Sequence, residues 1–391
     1  MDGHRCRACG EQAGHKVLDL GRQPASDYFP SYDDPGPDPV YPLEMWLCSR
    51  CGLAQLGDDA TVAREPRGAE PAALVRQAAD AIDQVSAAGL LPPGARVAEY
   101  GSPHGGSWCG MLLERGLTLA GPGQQADVII DCFGMMHAPD QAVALAERAA
   151  RLAPGGVLLA QYHSLETIVR GGQWNALRHG HYAYYSTTAL ARMLVASGLR
   201  PCAAWVFDLY GGTVLLAARH QAEAPPAPAG AATSADGDAA GGHGAAGPAD
   251  RVAALLDAEA AAGVLEPAVL RGLHRDMQAR ATAVHDWLAA QRADGQAVLG
   301  YGAASRAVAL LRKAEVDQGL LPAVADASPA KHGLRMPGTL IPIISPAELV
   351  GRRPASVLLF VPDLLPEVRA AYPEVEEAGG RWVVADELAV L

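Results

Sequence analysis

Four of the seven cysteines fall in two pairs, Cys6/Cys9 and Cys48/Cys51, each a Cys-x-x-Cys followed directly by glycine, Gly10 and Gly52. That spacing puts two thiolates on one tight turn, and two such turns close a tetrahedral four-sulfur shell around one zinc ion. The glycines suit a knuckle whose backbone needs positive φ. The 38 residues between the pairs exceed the interval of the commonest zinc fingers, but closure entropy grows only logarithmically with loop length. Four cysteines leave no open coordination position, so the expected metal is structural. Cys109 and Cys132 sit in apolar surroundings with no flanking base or cation and read as small buried hydrophobes.

A second chemistry is written in Gly300-Tyr301-Gly302-Ala303-Ala304-Ser305-Arg306. The stretch follows an apolar strand and opens a helix, so its backbone N–H groups and the helix N-terminus can face a pyrophosphate, with Arg306 as a two-pronged partner. The other reading is a plain strand-to-helix turn with a solvated arginine. Lys331 is a further cation, expected to be solvated if it acts alone. His181 lies on a loop beside Tyr182, Tyr184 and Tyr185; a histidine there either handles protons near neutral pH or makes a structural hydrogen bond. His104 and His137 carry weaker signals, and His137, just past an apolar run, reads as structural.

The elements that must hold these residues follow a recognisable rhythm. At 391 residues the chain is too long for one core, so two or three domains are expected. Residues 1–60 form a small metal-organised module. From Ala95 onward apolar strands alternate with Ala- and Leu-rich helices: 96–100, then a helix over 107–115, strand 128–130, a helix over 141–152, strand 157–160. Strand, helix, strand in that order means an α/β sheet. The Ala-, Gly- and Pro-rich segment around 223–249 cannot bury enough apolar surface to order itself and reads as a linker. Helical runs over 251–259 and 267–292 follow, and then a second α/β unit opens at Ala297. The expected domains are 1–60, 72–220, a linker at 221–250, and 251–391. A formal net charge of −12 argues against nucleic acid and against an anionic membrane surface as partners. With no apolar run long enough to span a bilayer and no apolar leader after Met1, the cytoplasm is expected.

Several blocks together resemble one family, the three-domain C-methyltransferases that act on nucleotide-linked keto-deoxysugars in antibiotic-sugar pathways. They are CRACG, LDLGRQPASDYF and YPLEMWLCSRCGLAQL near the N-terminus, and GYGAASR and DASPAKHGLRMPGTLIPI near the C-terminus. The resemblance implies a zinc-binding N-terminal domain, a central Rossmann-like domain that holds S-adenosylmethionine, and a C-terminal Rossmann-like domain that holds the nucleotide of the sugar. It also assigns roles. Glu99, Gly101 and Gly105, on the first central strand and its turn, would meet the methionine end of the cofactor; Gly300, Tyr301, Gly302, Arg306 and Lys331 would meet the nucleotide sugar. His181 would be the base that removes a proton from the carbon next to the ketone, with Tyr182 beside it.

The sequence departs from the family where the cofactor's adenosine should sit. The second central strand should end in a carboxylate for the ribose hydroxyls, yet it reads Leu117-Thr118-Leu119-Ala120-Gly121-Pro122-Gly123. Only 21 residues separate Gly105 from Asp127, room for one helix and one strand, whereas the full methyltransferase sheet needs another of each. The family's Tyr-x-Tyr block after the zinc module is replaced by the stretch 60–67, and its Tyr-x-Glu-His block by Arg178-His179-Gly180-His181. The expected central domain is therefore a shortened methyltransferase sheet with weak S-adenosylmethionine binding. Two other functions remain open at this level: an epimerase or ketoreductase on the same sugar, independent of S-adenosylmethionine, with His181 and Tyr182 moving protons; and a non-catalytic binding relative.

Overall fold

The computed structural model describes residues 4–61, 70–103, 105–221 and 247–390. His104, most of the 60–67 stretch and nearly all of the expected linker lie outside the described residues. Three antiparallel strands, β1 (Gly14–Pro24), β2 (Val40–Cys48) and β3 (Ala54–Leu56), follow the first Cys knuckle. Their apolar residues Leu18, Leu20, Met45, Leu47 and Leu56 are buried together. Gly14 has to be glycine, because the Trp46 ring lies where its Cβ would be, 2.1 Å away.

The central unit runs α1 (Ala72–Ala87), β4 (Arg96–Gly101), α2 (Cys109–Glu114), β5 (Thr118–Leu119), β6 (Ala126–Cys132), α3 (Gln141–Arg151), β7 (Leu152–His163), α4 (Leu165–Arg170), β8 (Ala183–Tyr184), α5 (Thr187–Ala196), β9 (Leu199–Phe207) and β10 (Thr213–His220). Its six-stranded sheet has the order β5-β4-β6-β7-β10-β9, parallel from β5 to β7 and antiparallel through β10 and β9. The unbroken apolar runs of β6 and β7 are those of strands covered on both faces. Between β4 and β6 stand only α2 and the two-residue β5, as the short spacing required. Asp140 caps α3 by accepting from Val143 N at 2.9 Å. Asp131 of β6 pairs with Arg148 of α3 at 2.5 Å, both nearly solvent-free. The eighth strand leaves the central sheet and pairs with β3, so the first sheet reads β1-β2-β3-β8.

After the gap come α6 (Pro248–Ala262), α7 (Pro267–Leu270), α8 (Gly272–Ala293), β11 (Val298–Tyr301), α9 (Ser305–Lys313), β12 (Val324–Ala325), β13 (Ile343–Ile344), α10 (Pro346–Gly351), β14 (Ser356–Leu359), α11 (Leu365–Ala371), α12 (Glu374–Glu377) and β15 (Arg381–Val384). The last sheet is all parallel, in the order β13-β12-β11-β14-β15. Helix α6 lies within the stretch expected to belong with this unit, yet it packs on β9 and α5. Its Glu259 accepts from Thr187 N and from both N and Oγ1 of Thr188, capping α5. The first and last units are locked by a buried pair in which Arg335 donates to both oxygens of Asp38, at 2.6 and 2.7 Å. No helix among the described residues is long and apolar enough to cross a membrane.

Candidate functional site

The two knuckles meet. Cys6 and Cys51 Sγ are 3.5 Å apart, Cys9 and Cys48 Sγ 3.6 Å, and all four lie within 4.8 Å of one another. Tetrahedral zinc–sulfur bonds of about 2.3 Å need sulfurs about 3.8 Å apart, so the four cysteines fit a structural zinc. Gly10 and Gly52 have φ of 72° and 79°, as the knuckles require. The hydrogen bond from Cys51 pulls the Cys6 thiol down to about 5 and pushes Cys51 up; a divalent cation is what lets all four sulfurs ionise together. Arg7, inside the first knuckle, donates to Leu56 O, Gly57 O and Pro139 O and lies 4.8 Å from the centre of the Tyr182 ring. The metal module is thereby wired to the loop that carries His181.

In a doubly wound sheet, ligands bind beyond the carboxyl ends of the strands, where the strand order reverses. Here that point falls between β4 and β6 in the central sheet and between β11 and β14 in the last one. Both open onto one cavity of about 360 Å³. The central sheet supplies Ser102, Gly105, Gly106, His137 and His163, and the last supplies Gly302, Ser305, Arg306, Asp326 and Asp363.

Two imidazoles stand on the central side. His137 Nδ1 is 2.9 Å from Gly180 O, which fixes the proton on Nδ1 and leaves the Nε2 lone pair toward Ser102 Oγ at 3.4 Å. The His181 ring meets His137 edge to face, and its Nδ1 accepts from Arg178 Nε at 3.4 Å, a long contact that places the His181 proton on Nε2. Arg178 also donates to Ser305 Oγ, bridging the two units. His163 ends β7; burial, with the Arg306 and Arg178 charges behind it, pushes its imidazole down to about 3, so it stays neutral.

Burial lowers the Arg306 guanidinium and raises the Asp363 carboxyl, each partly offset by the other's charge. The Arg306 guanidinium lies 5.9 Å from the centre of the Tyr210 ring. Tyr210 and Phe133, whose rings meet edge to face at 5.7 Å, both hold a left-handed backbone, φ 57° and 56°. Non-glycine residues rarely adopt it, and where they do at a cavity the surrounding packing bears the strain.

Of the residues singled out in the sequence, His181, Gly105, Tyr301, Gly302, Arg306 and Lys331 line the cavity. Tyr182 does not: its ring lies against Arg7, while its N–H donates to Met136 O and its carbonyl accepts from Leu56 N. Glu99 accepts from Ser107 Oγ at 2.5 Å and Trp108 N at 2.6 Å, so it caps the start of α2. Gly101 pairs with Cys132 inside the sheet, and Gly300 is a close-approach glycine under Phe360 and Val324. Lys331 is buried rather than solvated, donating to Ala303 O at 2.8 Å with Phe29 beneath it. His163, Arg178, Tyr210 and Asp363, none of them a site candidate from the sequence, line the same cavity, as does His137, whose place in the sequence reads as structural. His137 and His163 were findable, because each follows or ends an apolar strand of the sheet.

The turn after β4 fits the methionine end of S-adenosylmethionine: Gly105 and Gly106 line the cavity with φ of 105° and 88°. At the adenosine end the second strand carries no carboxylate. Beyond Leu119 the chain turns straight back through Gly121 and Gly123 into β6, and none of residues 118–124 lines the cavity.

A cysteine cluster followed by two facing doubly wound sheets defines a methyltransferase-type α/β protein with a second nucleotide-style unit. Family models agree: a zinc binding domain matches residues 6–64, a methyltransferase domain 69–203, and the C-methyltransferase C-terminal domain 237–385. Together the three models cover most of the chain, in the order of a three-domain C-methyltransferase. It is similar to the C-methyltransferase NovU of Streptomyces niveus, 26% identical over 420 residues that cover 97% of this chain and 94% of that one. Among solved structures, an O-methyltransferase family protein from Burkholderia thailandensis matches 38% of this chain and 58% of its own at 18% identity and a TM-score of 0.29. The magnesium protoporphyrin IX methyltransferase of Synechocystis PCC 6803 matches 37% and 83% at 10% identity, also with a TM-score of 0.29.

Proposed function

We propose that this protein acts on a nucleotide-linked keto-deoxysugar, as a C-methyltransferase of low affinity for S-adenosylmethionine, with zinc as a structural metal. The observation that carries the reading is Arg306. Its guanidinium lines the cavity in the first turn of α9 and makes no hydrogen bond or ion pair among the described residues, a costly arrangement unless an anion completes it. A diphosphate against the Gly302–Arg306 turn does so and places the attached sugar toward His137 and His181.

There the imidazoles divide the proton work. His137, oriented by Gly180 O, offers its Nε2 lone pair to the proton on the carbon beside the ketone, while His181 offers Nε2–H to the carbonyl oxygen. Arg178, against His181, adds positive charge where the enolate forms. S-adenosylmethionine, when bound, supplies the electrophilic methyl group. Calorimetric titration tests the reading: thymidine 5′-diphosphate should bind and S-adenosylmethionine bind far more weakly. No binding of the diphosphate would overturn it. The shortcut from β5 to β6 favours a second reading, proton transfer on the same sugar without a methyl donor; epimerised product formed in the absence of S-adenosylmethionine would establish it.

A further inference from the structure

We propose that Asp326 accepts hydrogen bonds from the pentose hydroxyls of the nucleoside whose diphosphate lies against the Gly302–Arg306 turn. The inference rests on the nucleotide reading above and adds the group that recognises the nucleoside. Two doubly wound sheets face the cavity, and the strand beside the first strand of each ends differently. In the central sheet β5, the neighbour of β4, runs out into Ala120-Gly121-Pro122-Gly123 with no carboxylate. In the last sheet β12, the neighbour of β11, is followed at once by Asp326, which lines the cavity.

A dinucleotide-type sheet places an acidic residue about 20 positions beyond its glycine turn, at the end of the second strand, where it takes the ribose hydroxyls. Asp326 stands there. Its backbone is held on both sides, N–H to Ile344 O at 3.1 Å and carbonyl to His332 Nε2 at 2.8 Å. Its Oδ1 accepts from Ser328 N at 2.8 Å, which sets the plane of the carboxylate and leaves Oδ2 as the acceptor for a ligand. A preset acceptor loses little entropy on binding. Tyr372, its ring 5.7 Å from that of Tyr301 between centroids, lines the same cavity and offers an aromatic wall suited to a base.

The test is calorimetry on the full chain with thymidine 5′-diphosphate, uridine 5′-diphosphate and inorganic pyrophosphate. Asp326→Asn keeps an acceptor for Ser328 N and removes the charged one. It should weaken whichever nucleoside diphosphate the unaltered protein prefers by about tenfold, and leave pyrophosphate binding unchanged or tighter, since a negative charge is lost. Arg306→Ala should weaken all three ligands that bind. Retained pyrophosphate binding also shows that the Asn variant is folded; if that variant does not fold, Asp326→Ser gives the same comparison. Nucleoside diphosphate binding that is unchanged in Asp326→Asn but weakened in Arg306→Ala would overturn the role of Asp326 alone, as would an equal loss of pyrophosphate. Binding untouched by Arg306→Ala would overturn the nucleotide reading beneath it.

Discussion

His137 and His181 stand edge to face, their ring centroids 4.5 Å apart and their planes at 77°. They come from different elements, a 3₁₀ turn after β6 and the loop before β8, and the contact joins a base-like imidazole to a donor-like one. If the two act on one proton transfer, removing either disables the other. Replacing His137 or His181 with glutamine should each slow exchange of the substrate's α-proton with solvent by about a hundredfold, and the double variant should be little slower than either. Deuterium uptake followed by NMR, with no methyl donor present, reads this directly. Multiplying effects in the double variant would mean the rings work independently.

One zinc per chain is expected on Cys6, Cys9, Cys48 and Cys51. Because Arg7 ties the first knuckle to Gly57, Pro139 and the Tyr182 ring, its loss should reach beyond the N-terminal sheet. Cys48→Ser should lower the zinc content measured by elemental analysis and should also weaken nucleoside diphosphate binding. Well under one equivalent in unaltered protein grown with ample zinc would rule the site out.

S-adenosylmethionine should bind at least tenfold more weakly than to family members with a ribose carboxylate. Each charge-assisted hydrogen bond forfeited is worth about 1.5–3 kcal/mol, and β5 offers none. Titration giving a low-micromolar Kd would show that the adenosine is held by groups other than those of the β5 edge.

His163 should remain neutral down to about pH 3. In the unfolded chain it titrates near 6.5, so as pH falls below that value the unfolded state takes up a proton the folded state refuses. The stability this neutral histidine permits is complete above pH 6.5 and declines as the pH drops toward 3. Imidazole NMR should find its pKa raised in Arg306→Ala, since a neighbouring positive charge is gone, and His163→Asn should flatten the fall of Tm between pH 6.5 and 4. A His163 resonance titrating near 6.5 in the unaltered protein would refute the placement.

Asp131→Asn should destabilise the fold by about 3–5 kcal/mol, the usual result of leaving one member of a buried ion pair without its partner. Asp131 also accepts from Gly134 N and Met135 N at 2.9 Å, so the turn carrying His137 should loosen too. Chemical denaturation gives the first effect, and the exchange assay above the second.

The sequence alone determined what local spacing can carry. Two Cys-x-x-Cys-Gly turns specify a sulfur shell wherever the intervening chain goes, alternating apolar strands and helices specify doubly wound sheets, and 21 residues between Gly105 and Asp127 specify a sheet short of one helix and one strand. What it could not determine was which strand ends share a cavity. His163 and Asp326 are 163 positions apart, and only the docking of one sheet's switch point against the other's brings them to the same space. Nor could it tell a ligand-facing group from a structural one. Glu99 and Tyr182 carry suitable chemistry but are consumed by a helix start and by Arg7, because burial demands that every polar group find a partner, and which partner it finds depends on how distant parts of the chain pack.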